Sequence, residues 1–101
     1  MDNVIPLRPR PVPEPEPLWR ELLGAQLRQE RRQRGERIAD VAGRAGVSPQ
    51  YLSELERGRK DPSSEILSAV SGALGLSVLD LTRRAAQHAA GSIRGPVCLA
   101  A

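Results

Sequence analysis

The stretch from Gly46 to Pro62, GVSPQYLSELERGRKDP, decides how this chain is read. It opens on a helix start: Ser48 suits the N-cap, and Pro49 suits the first helical position, where its missing N–H would have no partner anyway. Gln50 and Tyr51 complete the first turn. Leu52 and Leu55 are three apart, so they share one edge of the helix and point inward. Pro49, Gln50, Ser53, Glu54 and Arg57 take the other edge, which carries hydrogen-bonding groups and few apolar atoms. Gly58 ends the helix in the manner of a C′ glycine, and Arg59 and Lys60 follow it as phosphate-seeking charges. So short a helix is unstable alone and needs a scaffold behind its leucine edge. Its polar edge and basic exit are left to meet a polyanion.

Working outward, the spacing predicts a helix over about 37–44, with Ile38, Val41, Ala42 and Ala45 facing a core. Gly46 is the turn residue and Val47 plugs the corner between the two helices. The small residues at 42, 43, 45 and 46 permit a close crossing, so the turn is short and rigid. A first helix is predicted over about 18–34, with Trp19, Leu22, Leu23 and Leu27 as its apolar stripe. Arg20, Glu21, Arg28, Gln29, Arg32 and Gln33 line its wet side, and Gly35 ends it. Arg31, Arg32 and Arg34 have two readings, as phosphate contacts or as a solvated helix end favoured by the dipole. Downstream, Asp61 to Glu65 is a turn and an N-cap that start a fourth helix over about 64–74. Ser77 caps a last helix from about Val78, carrying Leu79 and Leu81 and continuing through Ala85, Ala86 and Ala89. Five helices and no strand pattern give an all-α class.

The flanks read differently. Prolines at 6, 9, 11, 13, 15 and 17 remove backbone donors and push their neighbours toward extended geometry, so residues 1–17 are expected to be a disordered tail. Residues 91–101, GSIRGPVCLAA, hold two glycines and a proline and are expected to be a short flexible tail. The folded unit is then 18–90.

At 101 residues there is room for one small domain, and the formal charge is +3. That charge is not spread evenly: residues 18–60 hold ten Lys and Arg against six Asp and Glu, whereas 1–17 and 61–101 are near balance. The excess sits where attraction to phosphates requires it. A single cysteine, Cys98, allows no internal disulfide, and no apolar run approaches the roughly 20 residues of a membrane span. The expected setting is a bacterial cytoplasm, in association with the nucleoid.

Residues 23–82 resemble the Xre, or Cro/C1-type, helix-turn-helix family. The residues that carry the likeness are Leu27-Arg28 and Arg31, Val41-Ala42, Ala45-Gly46-Val47-Ser48, Tyr51-Leu52-Ser53, Leu55-Glu56-Arg57-Gly58, Pro62-Ser63 and Ala73-Leu74-Gly75. More narrowly, YLSELERGRKDPSSEIL together with the terminal Leu99-Ala100-Ala101 looks like the actinobacterial regulators of Clp protease genes. The resemblance implies a compact five-helix, lambda-repressor-like domain that binds duplex DNA, with 48–57 as the helix that enters the major groove.

By that resemblance Pro49, Gln50, Ser53 and Glu54 read bases. Gln50 is able to pair with adenine in bidentate fashion, Glu54 to accept from the cytosine amino group, and Ser53 to bond several edges. Arg37, Ser48, Tyr51, Arg57, Arg59 and Lys60 are the candidate phosphate contacts. Ser48 is equally explained as a cap, and Tyr51 equally as a ring packed at the domain rim. Arg31 and Glu56 are expected to form a structural ion pair that holds the first helix to the third. Many family members carry glutamine at the start of the second helix, where this chain has Ile38, and Arg37 is the candidate to replace that contact. Leu99, Ala100 and Ala101 resemble C-terminal tags recognised by Clp-type proteases.

Catalysis is poorly supported. His88 and Cys98 stand alone, no cluster has metal-ligand spacing, and the glycines punctuate helices and form no phosphate loop, so no catalytic residue, metal or cofactor is expected. A single domain of this kind reads only a few base pairs, so a homodimer on a palindromic operator is expected, with Leu79, Leu81 and the alanines beyond Arg84 as candidate contacts, although core packing accounts equally well for the two leucines. Two rivals stand beside a transcriptional regulator. One is an antitoxin of the same fold that autoregulates its operon and neutralises a toxin through a tail; the other is an adaptor that works through the proline-rich segment.

Overall fold

The computed structural model describes residues 18–100, without the side chains of 91–100. It contains α1 (Trp19–Gln33), α2 (Ile38–Ala45), α3 (Pro49–Glu56), α4 (Ser64–Ala73) and α5 (Val78–Ala100), and no strand among the described residues. Helix starts are chemically marked. The Tyr51, Ile66 and Asp80 N–H groups donate to the hydroxyls of Ser48, Ser63 and Ser77 at 3.0, 3.2 and 3.0 Å. Each such cap contributes about 1 kcal/mol. At α1 and α2 an acidic side chain in the first turn reaches back instead, Glu21 to the Leu18 N–H at 2.9 Å and Asp40 to the Arg37 N–H at 3.2 Å.

The core takes Leu23 and Leu27 from α1, Val41 and Ala42 from α2, Leu52 and Leu55 from α3, Val70 from α4 with Leu74 just past its end, and Leu81 and Ala85 from α5. No helix supplies enough apolar area to fold by itself, so the five stabilise one another, each buried leucine by about 2 kcal/mol. α1 packs on α3 and α5, α2 on α3 and α4, and α4 on α5. Ile38, Val47 and Tyr51 are half-buried against this core.

The apolar-stripe expectation for Trp19 needs correction, and so does the candidate dimer contact at Leu81, which is buried in the core. Trp19 is 47% exposed and Leu79 65% exposed, because each lies in the first turn of its helix, at the margin of the packed layer. The buried edge of α1 is Leu23, Gly24, Gln26, Leu27 and Glu30, which is more polar than its sequence suggests. The polar members are satisfied by α5: Arg84 Nη1 donates to both oxygens of Glu30 at 2.9 and 3.0 Å, and Gln26 Nε2 donates to the same carboxylate at 2.8 Å. The His88 ring nitrogen Nδ1 lies 3.4 Å from Gln26 Oε1. These bonds fix α5 antiparallel to α1. α5 also runs past Gly91 to Ala100, into the stretch expected as a tail. The expectations for 1–17 and for Ala101 lie outside the described residues, as do those for the side chains of Leu99 and Ala100.

The carboxyl end of α4 is held by cations from the other half of the domain. Arg44 donates to the Ala73 carbonyl from Nε and Nη2 at 3.2 and 2.8 Å, and Arg34 donates to the Leu74 carbonyl at 3.3 Å. Positive charge here complements the helix dipole. Glu36 bridges the two arginines, at 2.7 Å from Arg44 and 3.1 Å from Arg34. The Arg44 hydrogen bond, aided by Arg34, holds the Glu36 carboxyl below its ordinary range. A carboxylate lowered on folding stabilises the fold above its unfolded pKa, and that contribution is lost as pH falls through the folded value. No single helix among the described residues is long and apolar enough to cross a membrane.

Candidate nucleic-acid interface

α3 is set on the scaffold by its ends and its inner edge. At its start, Gly46 adopts φ +76° and lets the Val47 N–H return to the Ala42 carbonyl at 3.0 Å, so Gly46, Val47 and Ser48 alone connect α2 to α3. At its end, Gly58 has φ +74° and its Cα faces α1 directly: a Cβ there would lie 2.8 Å from the Glu21 Cα. The Gly58 carbonyl receives the Arg20 Nε at 3.1 Å, and Arg20 Nη1 reaches Asp61 at 3.6 Å. In between, Leu52 and Leu55 are buried.

Gly24 of α1 supplies the closest approach. A Cβ built there would collide with the Leu55 carbonyl oxygen and lie 2.8 Å from the Glu56 carbonyl oxygen. The last turn of α3 therefore rests on bare helix backbone. Beside it, Arg31 grips Glu56 with two parallel bonds, Nε to Oε2 at 2.7 Å and Nη2 to Oε1 at 3.0 Å, while Nη1 donates to the Glu36 carbonyl at 3.0 Å. The two side chains are 13% and 5% exposed. The Glu56 hydrogen bond raises the Arg31 guanidinium above its ordinary pKa, against the opposing effect of burial. This fork joins α1, the α1–α2 loop and α3 in one contact.

The outer edge of α3 is wet. Pro49 and Gln50 are exposed, while Ser53 and Glu54 are half-buried. Glu54 lies 4.0 Å from Lys60, so a residue expected to read bases and one expected to hold phosphate face each other across the helix exit. Their proximity offsets the carboxylate charge that would otherwise repel a phosphate backbone. Ser48 Oγ is engaged as an acceptor by the Tyr51 N–H, which leaves its hydroxyl proton to donate elsewhere. Arg57 and Arg59 are exposed past the last turn. Arg37 is exposed at the N-cap of α2, with Nε 3.6 Å from Asp40. Tyr51 is half-buried with its ring against the core. Glu54 and Lys60 thus face each other, Ser53 and Arg57 line a common hollow with Ile38, and Arg37 stands next to Ile38 at the head of α2.

Several contributors have little or no local signal in the sequence. Gly24 carried a signal, since an isolated glycine amid strong helix formers asks for a packing reason. Arg20 was placed only on the wet side of α1, and no local pattern ties it to Gly58, 38 residues away. Arg28, also expected only to be wet, lines a notch with Arg31, Ile38, Ser53, Glu56 and Arg57.

Comparison with known proteins follows this geometry. A family model described as helix-turn-helix matches residues 27–81. The transcriptional regulator ClgR of Mycobacterium tuberculosis is 52% identical over 59 residues, which are 58% of this chain and 53% of that one. The crystal structure of the clp gene regulator ClgR from Corynebacterium glutamicum superposes with a TM-score of 0.74 at 52% identity, over 78% of this chain and 84% of that one. The restriction-modification controller protein C.AhdI from Aeromonas hydrophila superposes with a TM-score of 0.60 over 61% of this chain and 94% of its own, at 24% identity, a likeness of fold alone. The chain spans about half the length of the curated relative it matches.

Proposed function

The chain belongs to the helix-turn-helix family of Xre, or Cro/C1, type, and from that membership we propose that it is a transcriptional regulator that reads duplex DNA in the major groove with α3. The observation that carries this is the division of α3 into a leucine edge sealed against the core and an outer edge of Pro49, Gln50, Ser53 and Glu54. Base edges present hydrogen-bonding patterns that amide and carboxylate groups match. Arg37, Ser48, Tyr51, Arg57, Arg59 and Lys60 then fix the register on the backbone. Arg31 and Glu56 hold α3 at the angle this requires. The relatives described above bear regulator names, which favours a regulator over an antitoxin.

The test is selection of bound fragments from random duplex DNA, followed by comparison of a selected and a random duplex. The Gln50→Ala and Glu54→Ala substitutions should each cost about 1–3 kcal/mol of discrimination between the two, with little effect on binding to the random duplex. Equal discrimination by a folded double variant would remove this reading.

The proposal extends to assembly and targets. A homodimer placing two copies of α3 about 34 Å apart gives a palindromic operator of adequate specificity. The exposed Leu79 supports α5 as a contact. Clp protease genes are the proposed targets, after the clp gene regulator that this chain resembles at 52% identity. Leu99, Ala100 and Ala101 are proposed as a degradation tag for a Clp-type protease in the bacterial cytoplasm, which would make the regulator short-lived. Changing Ala100 and Ala101 to Asp should lengthen its cellular half-life several-fold in a pulse-chase measurement, and an unchanged half-life would remove the tag.

A further inference from the structure

The arginines around α3 fall into two sets. Arg31 is consumed by Glu56 and the Glu36 carbonyl, and Arg34 and Arg44 by Glu36 and the end of α4. Arg28 and Arg57 differ, as do Arg32 and Arg59: all four are exposed, with no carboxylate within ion-pair reach among the described residues, and of these only Arg28 and Arg57 share a hollow with α3's Ser53. Together with Ser53 these two line a notch of about 140 Å³, which Arg31, Glu56 and Ile38 also line. Both Glu56 oxygens already accept from Arg31, so the pair presents little net charge to the opening. Ile38 offers no polar side-chain atom. What remains is two uncompensated guanidinium forks and one hydroxyl around a small hollow on the flank of α3.

That donor set suits a tetrahedral oxyanion, since planar guanidinium groups match pairs of phosphate oxygens. We propose that Arg28 is a phosphate-positioning residue which, with Arg57 and Ser53, takes one backbone phosphate beside the bases that α3 reads. The inference rests on the DNA-binding reading above. It moves Ser53 from base readout to backbone contact. It also gives the scaffold helix α1 a direct hold on the duplex.

The measurement is the salt dependence of binding to a selected and a random duplex by full-length wild type, Arg28→Gln, Arg28→Lys, Arg57→Gln and the double glutamine variant. Loss of one phosphate-directed cation lowers the slope of log K against log salt by about 0.9. Arg28→Gln should therefore weaken binding to both duplexes alike, on the order of tenfold at low salt, with the gap to wild type narrowing about threefold between 50 and 200 mM salt. Arg28→Lys should keep the slope. The double variant should lose less than the sum of the singles, because both arginines hold the same phosphate. An unchanged slope in Arg28→Gln, with helix content and melting temperature preserved, overturns this inference and leaves base readout standing. Additive single effects overturn the shared phosphate. Failure of the wild type to bind any duplex removes both readings together.

Discussion

Gly24→Ala is expected to destabilise the domain by about 3 kcal/mol, even though alanine is the better helix former by about 1 kcal/mol. The added methyl would meet two backbone carbonyl oxygens, of Leu55 and Glu56, and backbone cannot rotate away as a side-chain tip can. α1 and α3 must separate, which loosens Leu23 and Leu27 from Leu52 and Leu55 at the centre of the core. A domain of this size has about 5–10 kcal/mol to lose, so urea unfolding followed by circular dichroism should show the midpoint displaced well beyond experimental scatter. Gly43→Ala is the matched control. It sits in α2 with nothing within 4 Å of a built Cβ, and should gain about 0.5–1 kcal/mol from helix propensity alone. If both variants were stabilised alike, the close seam between α1 and α3 would be wrong.

Glu56→Ala should cost about 3 kcal/mol, because it leaves the mostly buried Arg31 guanidinium with only the Glu36 carbonyl for company. Arg31→Ala is similarly costly for the opposite reason, an unpaired carboxylate at 5% exposure. Replacing both by methionine should recover much of the loss, since a buried pair roughly offsets its own desolvation and fails chiefly when one partner is removed. Chemical denaturation of the two single variants and of the methionine pair is the appropriate measurement. Single losses below about 0.5 kcal/mol would mean the fork is a bystander.

Local chemistry explains why so much of the architecture is legible without coordinates. Ser48, Ser63 and Ser77 announce three helix starts, and in the structure each hydroxyl accepts from the N–H three residues on. Leucines and valines at helical spacing name most of the core, because burial of apolar area dominates the packing. What the sequence conceals is long-range and polar. Nothing local says that Gln26 and Glu30 turn inward to meet Arg84, or that Arg34 and Arg44 spend their charge on the end of α4 rather than on phosphate. Trp19 and Leu79 mislead in the other direction, since a periodic pattern does not reveal where the packed layer ends. In the candidate interface the residue types are apparent from one stretch. The pairing of Glu54 with Lys60, and of Arg28 with Arg57 across a notch, needs three dimensions.

Seven of the eight residues of α3 divide by side. Leu52, Leu55 and Glu56 are buried, whereas Pro49, Gln50, Ser53 and Glu54 lie toward the open edge, and Tyr51 stands between them, half-buried on the core. Because the buried and open groups share no positions, the open ones can change by mutation while the frame that presents them goes undisturbed. A lineage built on this frame can acquire new targets one substitution at a time without passing through an unfolded ancestor.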